Sequence, residues 1–223
     1  MARELTLIDK NKMKTLIFIF TAFTWFTFFA QEQDPKAKAI LDDVSKTTKA
    51  YKTISTDYSL IFTNKEKKQT DKQTGKIQVK GTKFRLEIPG NTIMSDGKTV
   101  WTFNKEANEV SVKNYVASAD DAMDPTKIFT MYENGYKYKF DKEEAGLSIV
   151  NLYPSVKPEK KKFHTIRLYV DKSKKQVKKL IMLMKDGGTQ TYELKSLTSN
   201  LEIADNQFVF DAKACKCEVI DER

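Results

Sequence analysis

Ser95-Asp96-Gly97-Lys98-Thr99-Val100-Trp101-Thr102-Phe103-Asn104 is the stretch that decides the fold class. Asp96-Gly97 is turn chemistry, and it stands between strand signals at 92 to 95 and 99 to 103, which together read as an antiparallel hairpin. The same grammar continues outward on both sides. Towards the N-terminus lie strand signals at 83 to 88 and 75 to 80. Before them Ile54, Thr56, Tyr58, Leu60 and Phe62 share one face of a strand, opposite Ser55, Asp57, Ser59 and Thr63. Towards the C-terminus the signals recur at 109 to 113, 136 to 140, 147 to 153, 163 to 170, 176 to 184 and 189 to 198, with Asp171-Lys172 and Asp186-Gly187-Gly188 as separators. Short strands joined by turns predict a mainly β (α+β) fold. Its centre is a meandering antiparallel sheet of about eleven strands, curled or closed enough to manage its edges.

Two helices flank this meander. Asp34-Pro35 supplies an N-cap and a first-turn proline, after which Ala37, Ile40, Leu41, Val44 and Thr48 recur at helical spacing. Asp124-Pro125 repeats the signal, followed by Ile128, Phe129, Met131 and Tyr132 and a stop at Gly135. Ahead of it Ala117, Ser118 and Ala119 are small enough to let the segment move. A helix placed there either plugs the mouth of a curled sheet as a lid over residues 116 to 135 or simply covers it, and spacing leaves both readings open.

Residues 1 to 30 differ from the rest. Behind Lys10, Lys12 and Lys14 an apolar run from Thr15 to Phe29 ends at Ala30, just before Gln31-Glu32-Gln33-Asp34. This reads as a signal peptide removed on export, with Met1 or Met13 as the start. It is short for a membrane span. A signal anchor is the alternative, because Phe28 is bulkier than the usual residue two positions before a cut. Residues 31 to 223 then form one domain in the periplasm, a size that supports a substantial core.

The chain carries a formal net charge of +9. Its lysines largely alternate with apolar residues, as in Tyr136-Lys137-Tyr138-Lys139-Phe140, the pattern of a solvated sheet face, and this argues against nucleic acid as a partner. The exception is a basic loop in which Lys157, Lys160, Lys161 and Lys162 cluster around Pro158. Catalytic chemistry is mostly missing. The single histidine, His164, falls in phase with Ile166, Leu168 and Val170 and reads as a core or rim residue. There is no nucleophile elbow, phosphate-cradling glycine loop or metal-spaced cluster, so neither an enzyme nor a cofactor is expected. Cys215-Lys216-Cys217 remains open between a disulfide, free thiols and a metal site. In an extended chain the two Cα atoms would lie about 6.6 Å apart, near the upper end of the disulfide range.

Large apolar side chains exceed what flat covering elements need. Leu180-Ile181-Met182-Leu183-Met184 is apolar on both faces of one strand, while Phe84, Leu86, Ile88, Ile93, Val100, Trp101 and Phe103 crowd the middle strands. Such residues suit an adaptable pocket or a plainly packed core.

Ser95 to Trp101, with Asn104 three residues on, resembles the SDGKTLW-type hairpin of the LolA-like carriers. Other segments follow in that family's order: the N-terminal helix, the strand ending at Phe62, Gly75 to Lys80, Lys83-Phe84-Arg85, Tyr192 to Ser196, Phe208-Val209-Phe210 and the tail from Val219 to Arg223. The resemblance covers nearly all of residues 31 to 223. It implies a half-open antiparallel barrel lidded by helices, a monomer whose cavity takes acyl chains of lipoproteins from an inner-membrane release complex to an outer-membrane acceptor. The expected cavity residues are Phe62, Phe84, Leu86, Ile88, Trp101, Phe103, Ile128, Met131, Leu168 and Leu183. A related module that senses lipid or lipoprotein and signals to a membrane partner is the alternative, and a structural protein with a packed core is a third. Many members latch the lid with an arginine, followed by proline, after the second strand. Here that place reads Lys80-Gly81-Thr82, so no latch is assigned, and the parity of Arg85 points it outward.

Overall fold

The structure is a computed structural model that describes residues 33–64, 69–116, 125–127 and 130–223, all within the compact unit Gln33–Arg223. The expected signal peptide lies outside the described residues. Helix α1, Pro35–Lys49, starts where the capping chemistry demands. Asp34 Oδ1 accepts from the N–H groups of Lys36 and Ala37 at 2.9 and 3.1 Å, and Pro35 presets the first turn. The apolar face then buries Ala37, Leu41 and Val44.

Twelve strands among the described residues form one sheet. In chain order they are β1 Ile54–Asn64, β2 Gln69–Lys80, β3 Lys83–Ile88, β4 Asn91–Ser95, β5 Thr99–Asn104, β6 Glu109–Asn114, β7 Tyr136–Glu144, β8 Leu147–Pro154, β9 Phe163–Asp171, β10 Gln176–Met184, β11 Thr189–Ser199 and β12 Glu218–Asp221. The spatial order is β12-β6-β5-β4-β3-β2-β1-β11-β10-β9-β8-β7. Two antiparallel meanders, β1 to β6 and β7 to β11, are thus joined through the β1–β11 pair. The sheet is not closed, since β12 and β7 end it. The connection between β6 and β7 therefore leads from one side of the sheet to the other.

Both sides are managed. On β7 the side chains of Gln33 and Asp34 take the place of a neighbouring strand. Gln33 donates to Tyr136 O and accepts from Tyr138 N–H, while Asp34 Oδ2 accepts from Phe140 N–H at 2.9 Å. Hydrogen bonds from Ala37 N–H and then Phe140 N–H hold the Asp34 carboxyl below its ordinary range. On the other side β12 adds in parallel to β6, a strand that the sequence reading did not predict. A short helix α2, Ala212–Cys215, and a left-handed Lys216 (φ 52°) precede it. That turn brings the Cα atoms of Cys215 and Cys217 to 5.2 Å, closer than in an extended chain, and the two are joined in a disulfide.

Strand alternation gives the sheet two apolar faces. The inner face carries Phe84 and Leu86 of β3, Leu60 of β1, Ile166 and Leu168 of β9 and Leu180 of β10 in one cluster with α1. The outer face carries Arg85 of β3, and the register follows it across the sheet: Met94 lies opposite Arg85, Trp101 opposite Met94, and Val112 opposite Trp101. Over this outer face runs the C-terminal segment 200–211. Phe208 is fully buried in it, Phe210 packs on Phe103 with ring centroids 5.2 Å apart, and Asp205 binds Lys80 Nζ at 2.7 Å and Lys83 Nζ at 2.8 Å. The two ammonium groups hold the Asp205 carboxyl down at about 2. Arg85 points outward as its parity predicts, donating to Glu87 Oε1 at 2.9 Å.

Two expectations change. The helix expected from Asp124-Pro125 is, in its described parts, a turn at 125–127 and a 3-10 turn at Met131–Glu133. Thr130 N–H donates to Lys127 O and Glu133 N–H to Thr130 O, both three residues back. Thr126, Thr130 and Tyr132 are poor helix formers, and the cap signal alone did not overcome them. His164 leaves the inward phase because β9 carries an irregularity there: Phe163 pairs with Met184 and Thr165 with Leu183, and His164 between them is exposed. Among the described residues no helix is long and apolar enough to cross a membrane.

Candidate functional site

Part of the inner face is left uncovered by α1, and a cavity of about 320 Å³ occupies it. Tyr58 and Leu60 of β1, Ile77 of β2 and Leu86 of β3 form one side, and Ile166 of β9 with Leu180 and Met182 of β10 the other. Phe62, Ile88, Gln73 and Gln190 stand towards the strand ends, and Pro125 and Met131 contribute from the β6–β7 connection. None of the described lining residues carries a charge.

Gly75 is what lets Tyr58 lie in this wall. The two face each other across β1 and β2, and a Cβ on Gly75 would fall 2.1 Å from Glu87 O and 2.5 Å from the Tyr58 hydroxyl oxygen. Tyr58 Oη donates to Glu87 O at 3.3 Å, and Tyr192 Oη donates to Gln190 Oε1 at 3.4 Å. Burial, with the neighbouring Tyr192 second, pushes the Tyr58 hydroxyl up to about 12, so it stays neutral at ordinary pH. Burial raises Tyr192 as well. Among the described residues no buried side-chain polar atom lacks a hydrogen-bond partner, so the deep cavity asks nothing polar of a guest. A shallower polar depression adjoins the rim, sharing Phe62 and Gln190 and adding Thr63, Gln69, Asp71 and Thr189.

The Met131–Glu133 turn is tied to α1. Glu133 Oε1 accepts from Lys49 Nζ at 2.6 Å and Ser45 Oγ at 2.7 Å, and these bonds, Lys49 first, hold its carboxyl below the ordinary range. Tyr132 Oη donates to Asp42 Oδ1 at 3.2 Å, its pKa pushed up to about 12 chiefly by burial. This is a fastening that the sequence reading did not identify.

Of the expected cavity residues, Phe62, Leu86, Ile88 and Met131 come together in the lining. Phe84 and Leu168 are buried on the same inner face but pack in the core beside the cavity. Trp101, Phe103 and Leu183 require correction, because the register turns them to the outer face. Trp101 lies opposite outward Met94, Phe103 opposite Thr92 and against Phe210, and Leu183 opposite Thr165, out of phase with inward Leu180 and Met182. Ile128 lies outside the described residues. Tyr58, Leu60, Ile77, Ile166, Leu180, Met182 and Tyr192 line the cavity without having been among the expected cavity residues. Tyr58 and Leu60 share the parity of Phe62, and Ile166 that of Leu168, which was the available signal.

No curated protein matches the sequence. An uncharacterized conserved protein from Thermus thermophilus superposes with a TM-score of 0.56 at 12% identity, covering 84% of this chain and 99% of its own, and so shares the fold. A LolA superfamily protein from Nitrosomonas europaea (TM-score 0.44, 11% identity, 78% of this chain and 97% of that one) and the Mycobacterium tuberculosis lipoprotein LppX (TM-score 0.45, 10% identity, 77% and 100%) are more distant. The model of the family described as outer membrane lipoprotein carrier protein LolA matches residues 49–211, from the end of α1 through the segment that seals the outer face, and the chain belongs to that family.

Proposed function

We propose that this protein is a periplasmic carrier whose cavity takes acyl chains of lipoproteins, receiving them from an inner-membrane release complex and giving them up to an outer-membrane acceptor. The observation that carries the reading is the apolar cavity, which among the described residues has no charged lining residue and no buried polar side-chain atom left unpartnered. Such a space rewards hydrocarbon and penalises a charged or strongly polar guest. At ~30 Å³ per water, and with a methylene slightly smaller, 320 Å³ takes one chain of roughly ten methylenes. At about 0.8 kcal/mol per methylene this amounts to ~8 kcal/mol, so holding cargo is easy and release is the demanding step. Release then needs an acceptor that binds the chain better. Cargo with more than one chain must displace Met131, and the contacts of Glu133 and Tyr132 with α1 set what that movement costs.

Mass spectrometry of protein purified from its own periplasm tests this, with fluorescence titration by a fatty-acid analogue beside it. Co-purified lipid or lipopeptide and saturable probe binding, weakened by Met182→Glu, are expected. A folded sample that binds no probe and carries no lipid overturns the reading.

A further inference from the structure

The end of the sheet where the cavity's rim residues stand also carries a dense run of lysines. β1 runs out beyond Phe62 to Asn64, and Thr63 pairs with Thr189 at the start of β11, while Met184 at the end of β10 pairs with Phe163 at the start of β9. The β8–β9 connection, residues 155–162, and the β10–β11 turn, residues 185–188, therefore emerge together at this end. They are fastened to each other. Lys185 N–H donates to Lys162 O at 2.9 Å, and Lys185 Nζ donates to Pro158 O at 2.7 Å and Glu159 O at 3.3 Å.

These two loops carry five lysines, Lys157, Lys160, Lys161, Lys162 and Lys185, and two acidic residues, Glu159 and Asp186, with Asp71 of β2 in the adjoining depression. Lys157, Lys160 and Lys162 are exposed and form no ion pair with any described residue. Some lysines elsewhere are spent on carboxylates, as Lys80 and Lys83 are on Asp205 and Lys172 on Glu143, and what sets these loops apart is the density of lysine over a few residues. Beside the unpaired lysines, Val156 keeps 52% and Tyr153 38% of its surface exposed. Lysines interleaved with exposed apolar side chains complement an anionic lipid surface, where charge attracts and the apolar groups enter the interface.

We propose that the 155–162 loop, with Tyr153 at the end of β8 beside it and braced by Lys185, docks this end of the protein on an anionic phospholipid bilayer, setting the cavity rim against the membrane. The charged surface is read independently of the cavity, and its purpose alone rests on the carrier reading. Each lysine near an anionic surface is worth about fivefold in partitioning, so reversing three of them lowers it by about two orders of magnitude or more.

Co-sedimentation of the protein as isolated from its cells, with vesicles of phosphatidylglycerol and phosphatidylcholine or of phosphatidylcholine alone, is the test. The wild type sediments with the anionic vesicles at low salt, leaves them as salt rises, and ignores the zwitterionic ones. Lys157→Glu/Lys160→Glu/Lys162→Glu stays in the supernatant while unfolding at the same denaturant concentration and binding the fatty-acid probe unchanged. Anionic vesicles that do not retain the wild type, or that retain the triple variant equally, overturn the proposal. So does salt-sensitive binding to polyglutamate without vesicle binding, which assigns the loop to an acidic polypeptide. Probe binding without vesicle binding leaves the carrier reading standing and removes this one, and the reverse result does the opposite.

Discussion

The two faces of the sheet are built by the same alternation from the same kinds of residue, yet one holds a cavity and the other a sealed core. On the inner face α1 covers part of the surface and leaves Tyr58, Leu86 and Met182 around open space. On the outer face the C-terminal segment lays Phe208 and Phe210 over the strands that carry Met94, Phe103, Val110 and Val112. An apolar strand face thus becomes a binding site or a core according to what covers it, and composition does not distinguish them.

The sharpest way to break the comparison is to truncate one large side chain on each face. Phe208→Ala should destabilise the protein by ~3–5 kcal/mol, because the fully buried ring leaves a hole that its neighbours fill incompletely. Met182→Ala, lining space that is already open, should cost about 2 kcal/mol, the low end for such truncations, and admit a longer fatty-acid probe. Denaturant unfolding of both variants measures the difference, and equal losses would show that the inner face is packed like the outer one.

Gly75→Ala asks whether the inner wall tolerates a single added methyl. The Cβ meets Glu87 O and the Tyr58 ring, one of them backbone, so a loss of ~1–3 kcal/mol is expected together with weaker probe binding. Asp34→Ala tests the edge of the sheet at β7. It removes the α1 cap and the acceptor for Phe140 N–H together, and ~0.5–2 kcal/mol should go, with faster amide exchange at Phe140 while Met94 and Val110 on the outer face are unaffected.

The smallest effect is electrostatic. Because Lys80 and Lys83 depress the Asp205 carboxyl to about 2, the contribution of this exposed cluster is present above the carboxyl's ordinary pKa and fades as pH falls from there through about 2. The wild type should therefore lose a small part of its stability over that window, and Asp205→Asn should lose less of it. Difference unfolding curves between pH 5 and pH 2, a span set by that shift, measure it. Curves that stay parallel would mean that the cluster does not help to hold the segment on the outer face.

Much of the fold was legible in single stretches of chain. The strand runs, the Asp96-Gly97 turn and the Asp34-Pro35 helix start rest on backbone preferences acting over a few residues, and each appears within a few residues of where it was read. β12 was not legible, because four exposed residues acquire strand geometry only by pairing with β6, over a hundred residues earlier. The fastening of Met131–Glu133 to α1 was hidden for the same reason: Glu133 meets Ser45 and Lys49 across more than eighty residues of sequence.

For the cavity, sequence by itself determined which strands alternate, which side chains are large and apolar, and that Arg85 points away from Phe84 and Leu86. Parity within one strand says which residues share a face, but not which face is inner. That choice needed the register between strands and the two covers, α1 and the C-terminal segment, and it moved Trp101, Phe103 and Leu183 outward while bringing in Tyr58, Leu180 and Met182. The physical reason is the two-residue period of a strand: one step of phase reverses every side chain, and only packing across the sheet sets the phase.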